Sequence, residues 1–241
     1  MLLFKGPRDQ ILTPLQSVCG IVEKRHTLPI LSNVLMEKNG ENLTLLATDI
    51  EIQIRTSTAA ASTEIAALTV GARKLQDILR SLPDAAEVSL SLDDKRLQVK
   101  AGKSRFNLQT LPAEDFPRMS TADGQTVRIS LTQKQFKRLL ALVQYSMAQQ
   151  DIRYYLNGLL LIIDGAEMRV IATDGHRLAF ASEVLPESMP RSEVILPRKT
   201  ILELSRQLAD NDEPLEIVLA PTQAQFRFGN IELVSKLIDG K

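Results

Sequence analysis

Residues 34–49 read VLMEKNGENLTLLATD, and residues 155–174 read YLNGLLLIIDGAEMRVIATD. Both runs are dense in Val, Ile and Leu, and each places Gly after a polar residue, at Asn39-Gly40 and Asp164-Gly165, which predicts a hairpin about each pair. Both end on Ala-Thr-Asp, at Ala47-Thr48-Asp49 and Ala172-Thr173-Asp174, 125 residues apart. The same offset relates Arg73-Lys74 to Arg198-Lys199, Leu15 and Val18 to Leu140 and Val143, and Leu31 to Leu156. One fixed offset across most of each half implies two copies of one domain. The boundaries are placed at 1–120 and 126–241, with 121–125 as a linker inside the turn-rich seam PRMSTADGQ, Pro117 to Gln125.

Each copy reads as helix, strands, helix, strands, an α+β fold with two helices packed on antiparallel sheets. Phe136, Leu139, Leu140 and Val143 recur at helical spacing, with Thr132 as the N-cap. Second helices begin near Arg73 and Arg198, carrying Leu75, Ile78 and Leu79, and Ile201, Leu204 and Leu208. Pro14 either opens the first helix behind a Thr13 cap or kinks it. Alternating segments at 87–92, 96–100 and 105–111 predict the strands that close the first copy.

The 241 residues carry 29 basic and 29 acidic side chains, so net charge points to no polyanionic partner. Its distribution does. Residues 132–147 hold Lys134, Lys137 and Arg138 without an acid, and the two second helices each carry a net +2. Arg73 with Arg80, and Lys199 with Arg206, are seven apart and share a helix face. A basic face repeated in two copies of a domain suggests a surface for nucleic-acid phosphates. One cysteine, Cys19, and two histidines exclude a disulfide framework and a structural zinc site, so no metal or cofactor is expected. No apolar run is long enough for a signal or a membrane span, and a cytoplasmic protein is expected.

Several longer motifs resemble the bacterial DNA polymerase III beta subunit, the sliding-clamp family. They are SMAQQDIRYYLNG (146–158), ATDGHRLA (172–179), TLPIL (27–31), Arg105-Phe106, LPAEDFP (111–117) and SKLIDG (235–240). The resemblance runs along essentially the whole chain and covers the family's first two domains of three. A third would begin where Lys241 ends, so a truncated form or proteolytic fragment is expected. The resemblance implies a ring of six domains made from two subunits, helices inside and strands outside. It encircles duplex DNA without reading sequence, sits on the nucleoid, and acts as a non-catalytic processivity factor. Its implied partners are the polymerase III alpha subunit, the clamp loader, and other polymerases and repair proteins bearing a short Leu/Phe peptide. This piece alone is expected to be a monomer.

By resemblance, Arg25, Gln150, Tyr154 and Tyr155 occupy DNA-contacting loop positions, joined by Arg73, Lys137 and Arg198 from the basic helices. Arg153, Leu156, Thr173, Gly175, His176, Arg177 and Leu178 form this domain's share of the peptide cleft. Lys74, Arg96, Lys103, Arg105, Phe106 and Leu108 mark the subunit-contact edge, with Phe106 and Leu108 expected on one strand face as its apolar centre. Tyr145 is assigned to the core. The residues themselves add a comparison. After Ala-Thr-Asp the first copy continues Ile50-Glu51-Ile52, which reads as a strand, and the second continues Gly175-His176-Arg177-Leu178, which reads as a specialised site. There Gly175 leaves room for a ligand, Leu156 and Leu178 offer an apolar floor, and the Arg153 and Arg177 stems form walls.

Enzymatic readings are weaker. Gly102-Lys103-Ser104 imitates the end of a P-loop, but the earlier glycine position is Leu97. Asp174, His176 and Ser146 lack a nucleophile elbow, and Asp210, Asp212 and Glu213 read as a solvated acidic loop rather than a cation site. A nuclease or nucleotidyltransferase is the enzymatic alternative, and a single-stranded nucleic-acid module built on the tyrosines is the binding alternative.

Overall fold

A computed structural model of the chain describes residues 1–23, 28–60, 64–120 and 124–240. Contacts divide it into two compact units, Met1–Met119 and Ser120–Lys241.

The first unit contains β1 (Leu2–Pro7), α1 (Arg8–Cys19), β2 (Asn33–Asn39), β3 (Asn42–Thr48), β4 (Ile52–Ala59), β5 (Ala66–Gly71), α2 (Ala72–Ser81), β6 (Glu87–Asp93), β7 (Arg96–Ala101) and β8 (Ser104–Leu111). The strands run in the order β1-β6-β7-β8-β5-β2-β3-β4, with antiparallel neighbours. The β2–β3 hairpin turns at Gly40, whose φ of +56° is open to glycine without a Cβ penalty. Helix α1 begins at Arg8, so Pro14 lies inside it and does not open it. The reading in which Thr13 caps the helix is therefore corrected. Proline cannot donate to the Gln10 carbonyl one turn back. The Thr58 hydroxyl of β4 donates to that oxygen instead, at 3.1 Å.

The second unit contains β9 (Val127–Thr132), α3 (Gln133–Val143), β10 (Gly158–Thr173), β11 (Leu178–Pro197), α4 (Arg198–Gln207), β12 (Pro214–Leu219), β13 (Gln223–Phe228) and β14 (Ile231–Lys236). Strands β14-β13-β12-β9 form one antiparallel sheet, and β10 pairs with β11. Phe136, Leu139, Leu140 and Val143 are all fully buried, and Phe136 stacks on Phe226 with centroids 6.0 Å apart. Such a buried aromatic contributes about 1.5–3 kcal/mol through area alone. Thr132 and Gln135 form a reciprocal capping box that fixes where α3 starts.

The expected division of residues 155–174 into two strands about Asp164-Gly165 is replaced by a single element, β10, whose register breaks there. Gly165 takes φ +59°, as its repeat mate Gly40 takes +56°, but Gly165 remains paired, to Met189. The link from β10 to β11 is the turn Asp174–Arg177.

Candidate functional site

The two Ala-Thr-Asp segments build the same turn. In the first, Thr48 Oγ1 donates to the Ile52 carbonyl (2.9 Å) and accepts from Ile50 N (3.0 Å), while Asp49 Oδ1 accepts from Glu51 N (3.0 Å) and Ile52 N (2.8 Å). In the second, Thr173 Oγ1 donates to the Arg177 carbonyl (2.7 Å) and accepts from Gly175 N (3.1 Å). Asp174 Oδ1 accepts from His176 N and Arg177 N, both at 3.0 Å. Short polar side chains satisfying nearby N–H groups make the turn self-contained. The sequence reading of 50–52 as strand is thus corrected: Ile50 sits in the turn at φ +71°, and β4 starts at Ile52.

Gly175 occupies the position of Ile50, at φ +89°. Its missing side chain does not leave an empty notch. A Cβ there would lie 3.1 Å from Nη2 of Arg153, so a guanidinium covers the glycine. Asp151 holds that guanidinium through Nε and Nη2, both at 2.9 Å, and also accepts from Arg153 N at 2.8 Å. The Arg153 side-chain bond is the main reason the Asp151 carboxyl is pulled down to about 2. Asp174 is lowered chiefly by the His176 and Arg177 backbone N–H groups. Arg177 donates from Nε to Asp174 Oδ2 at 3.0 Å, and its guanidinium carbon lies 5.5 Å from the Tyr145 ring centroid. Tyr145 is 57% exposed, which corrects its assignment to the core. It serves as a platform for Arg177.

Leu178 is 65% exposed, His176 is exposed and Leu156 is half-buried. Neither His176 nor Leu178 is a core residue. Arg153, Leu156, Thr173, Gly175, His176, Arg177 and Leu178 come together around one turn and the loop facing it. Tyr154 and Tyr155 are exposed on a short 3-10 turn that also contains Leu156, their rings edge-on at 6.1 Å. A cleft of about 300 Å³ is lined by Tyr145, Gln149, Gln150, His176, Arg177 and Arg198, among others. Arg25, whose repeat mate is Gln150, lies outside the described residues.

The helix cations are less free than their spacing suggests. Arg73 Nη2 donates to the Val22 carbonyl at 2.6 Å, Lys137 Nζ to the Leu208 carbonyl at 2.6 Å, and Arg198 Nη1 to the Met147 carbonyl at 3.1 Å. Arg138 pairs with Glu183 and Arg206 with Glu203. Along the other edge, Lys103 lies at the β7–β8 turn where Gly102 takes φ +55°, which disposes of the P-loop reading. Arg96 and Arg105 are exposed on β7 and β8, Lys74 on α2, and Phe106 is half-buried. Leu108 is only 3% exposed, so it packs inside its own unit and cannot form the centre of a contact edge. Ser146 is fully buried while His176 is exposed, so no triad assembles. Among the described residues no cluster of His, Cys, Asp or Glu could hold a metal ion, and no helix is long and apolar enough to cross a membrane.

These features sit on a scaffold with known relatives. The family model for the N-terminal domain of the DNA polymerase III beta subunit matches residues 2–120, and that for its central domain matches 130–241. The chain belongs to the DNA polymerase III beta subunit family. The beta sliding clamp of Pseudomonas aeruginosa is 44% identical over 240 residues, and that of Escherichia coli K12 is 43% identical over 239. Each match takes in 99% of this chain, which spans about 65% of the length of these relatives. The crystal structure of the Pseudomonas aeruginosa DNA polymerase III subunit beta superposes with a TM-score of 0.94 at 44% identity, covering all of this chain and 66% of that one.

Proposed function

We propose that the chain supplies two domains of a DNA sliding clamp, a ring that encircles duplex DNA and tethers the replicative polymerase to it. The clamp makes and breaks no bonds. It holds DNA through phosphates, without base readout, which sliding along any sequence requires. It works in the cytoplasm on nucleoid DNA. Gln150, Tyr154, Tyr155, Arg25 and the cations Arg73, Lys137 and Arg198 serve the DNA. Lys74, Arg96, Lys103, Arg105 and Phe106 mark the edge where a second subunit docks to close the ring.

The cleft around the second turn receives a short peptide bearing Leu and Phe from the polymerase III alpha subunit, the clamp loader, and other polymerases or repair proteins. One observation carries this reading: Leu178, a large apolar side chain, is 65% exposed at the end of a turn whose N–H groups are all hydrogen-bonded. Phe180, two residues on along β11, is 55% exposed too, so the turn leads into an apolar face rather than a lone leucine. Titration of a labelled Leu/Phe peptide against wild type, Leu178→Asp and Gly175→Arg tests it. The charge and the bulk each abolish binding, while equal affinities across the three proteins place the site elsewhere.

The exposed tyrosine pair favours a second reading, a single-strand stacking platform. Competition between duplex and single-stranded DNA separates the two, because preference for single strand supports the platform.

A further inference from the structure

Arg198 belongs by its position to the cations that would meet DNA phosphate, but its own bonds point inward. Its backbone N–H donates to the Asn157 carbonyl at 2.9 Å, and its Nη1 donates to the Met147 carbonyl at 3.1 Å. One residue at the start of α4 therefore holds both ends of segment 147–157. Between those ends the segment closes on itself. Ala148 N donates to the Leu156 carbonyl at 3.0 Å, and Asp151 and Asn157 exchange two bonds, each of 2.9 Å. The segment carries Gln150, Tyr154 and Tyr155, assigned to DNA, together with Arg153 and Leu156, assigned to the peptide cleft.

The first unit repeats the side-chain bond. Arg73 reaches the carbonyl of Val22, and both residues lie 125 positions before Arg198 and Met147. Two copies that diverge at many surface positions keep the same arginine on the same carbonyl. That recurrence marks a built contact, not a chance side-chain placement.

We propose that Arg198 is a positioning residue whose side chain pins the Met147 end of the 147–157 loop, while its backbone N–H holds the Asn157 end, and so sets the geometry of the DNA loop and the peptide cleft together. The proposal rests on the assignment of those two sites under the proposed function. A phosphate ligand and a loop anchor differ in what they disturb. Loss of a phosphate contact weakens DNA alone and flattens the dependence of log Kobs on log salt by about 0.9. Loss of an anchor weakens both ligands and leaves the slope nearly unchanged.

The test compares Arg198→Met, which keeps the stem and loses the donors, with Arg198→Lys, which keeps the charge. Three quantities are measured: affinity for a labelled Leu/Phe peptide, affinity for a short duplex with a single-stranded overhang across a salt series, and amide exchange of residues 148–157. For Arg198→Met, which keeps the backbone bond to Asn157, we expect both affinities to fall about three- to tenfold, the loss of one side-chain hydrogen bond. The salt slope should move by less than about half a unit, and loop exchange should accelerate while amides of β12 and β13 keep their protection. Arg198→Met should also be non-additive with Tyr155→Ala in DNA binding. Arg198→Lys should restore part of both affinities, since an ammonium can donate to one carbonyl. If Arg198→Met weakens DNA alone, with the slope flattened by about 0.9, Arg198 is a phosphate ligand and the proposal is overturned. Leu178→Asp and Tyr155→Ala serve as controls for the site assignments. If those variants bind like wild type, the assignments fail and loop exchange alone decides: unchanged exchange in Arg198→Met overturns the anchor.

Discussion

The turn at 48–52 and the turn at 173–177 are held by the same four hydrogen bonds, yet they treat the following residues in opposite ways. In the first copy Ile52 is buried, and Gln53, a polar residue, is only 7% exposed, its Oε1 accepting from Met119 N at 2.9 Å. At the equivalent positions of the second copy Arg177 faces solvent, and Leu178, an apolar residue, is 65% exposed. Burial energetics alone would distribute Gln53 and Leu178 the other way round. The scaffold is indifferent to the inversion, since both turns form. On the proposed function the second turn presents an apolar surface, and position 153, where the first copy has Leu28, supplies an arginine that covers the glycine.

The strongest way to break this comparison is to remove the shared aspartate from each turn. Asp49→Ala strands the Ile52 N–H in a buried setting and leaves the half-exposed Glu51 N–H to water, and should cost about 1–3 kcal/mol. Asp174→Ala leaves two N–H groups that water can reach, and should cost clearly less. Urea unfolding of both variants checks this, and equal losses would mean that the fold depends on both turns alike.

Exchanging the residue at the left-handed position is the next test. Gly175→Ile forces a β-branched side chain to φ +89° against a guanidinium that must move, and should lower stability by about 1–2 kcal/mol. Ile50→Gly relieves the same strain at φ +71° but adds chain entropy, so it should fall within about 1 kcal/mol of wild type. Denaturant midpoints read both. Destabilisation by Ile50→Gly beyond that range would show that the isoleucine side chain carries packing the turn needs.

Much of the fold is legible in the sequence because helical and strand periodicities report burial directly. The face Phe136-Leu139-Leu140-Val143 and the Thr132 cap follow from spacing and from a local bond. Ile50 is not legible, since a β-branched residue at positive φ opposes local preference and only the surrounding bonds hold it there. Leu108 and Phe106 alternate on paper, yet β8 buries one and half-exposes the other, which two-residue spacing cannot foretell. Tyr145 reads as core because tyrosines usually are largely buried, while its partner Arg177 lies 32 residues away. The Arg198 bond to Met147 spans 51 residues and ends on a backbone oxygen, which leaves no signature in sequence. Arg73, Lys137 and Arg198 follow from the charge on their helices, and the other site residues from motif resemblance. The exposure of Leu178 came only from the structure.

The smallest expected effect concerns acid. Asp151 is lowered to about 2 from an ordinary 3.8, so the bonds that hold Arg153 over Gly175 persist above about pH 4 and are lost as pH falls toward 2. Carboxyl NMR should show Asp151 titrating near the bottom of that window, and Arg153→Ala should raise it toward the ordinary range but not all the way, because the backbone N–H of residue 153 still donates to it. An ordinary value in wild type would show that Asp151 does not brace Arg153 in solution.

If the second turn is a docking surface and the first is scaffold, exchanging the inverted pair separates them. A labelled Leu/Phe peptide is titrated against wild type, Leu178→Gln and Gln53→Leu, each verified as folded by circular dichroism. Leu178→Gln should bind at least tenfold more weakly, roughly the 1.4 kcal/mol that one lost apolar anchor would remove, and Gln53→Leu should keep wild-type affinity. Unchanged affinity in Leu178→Gln, or a loss confined to Gln53→Leu, would contradict the docking reading.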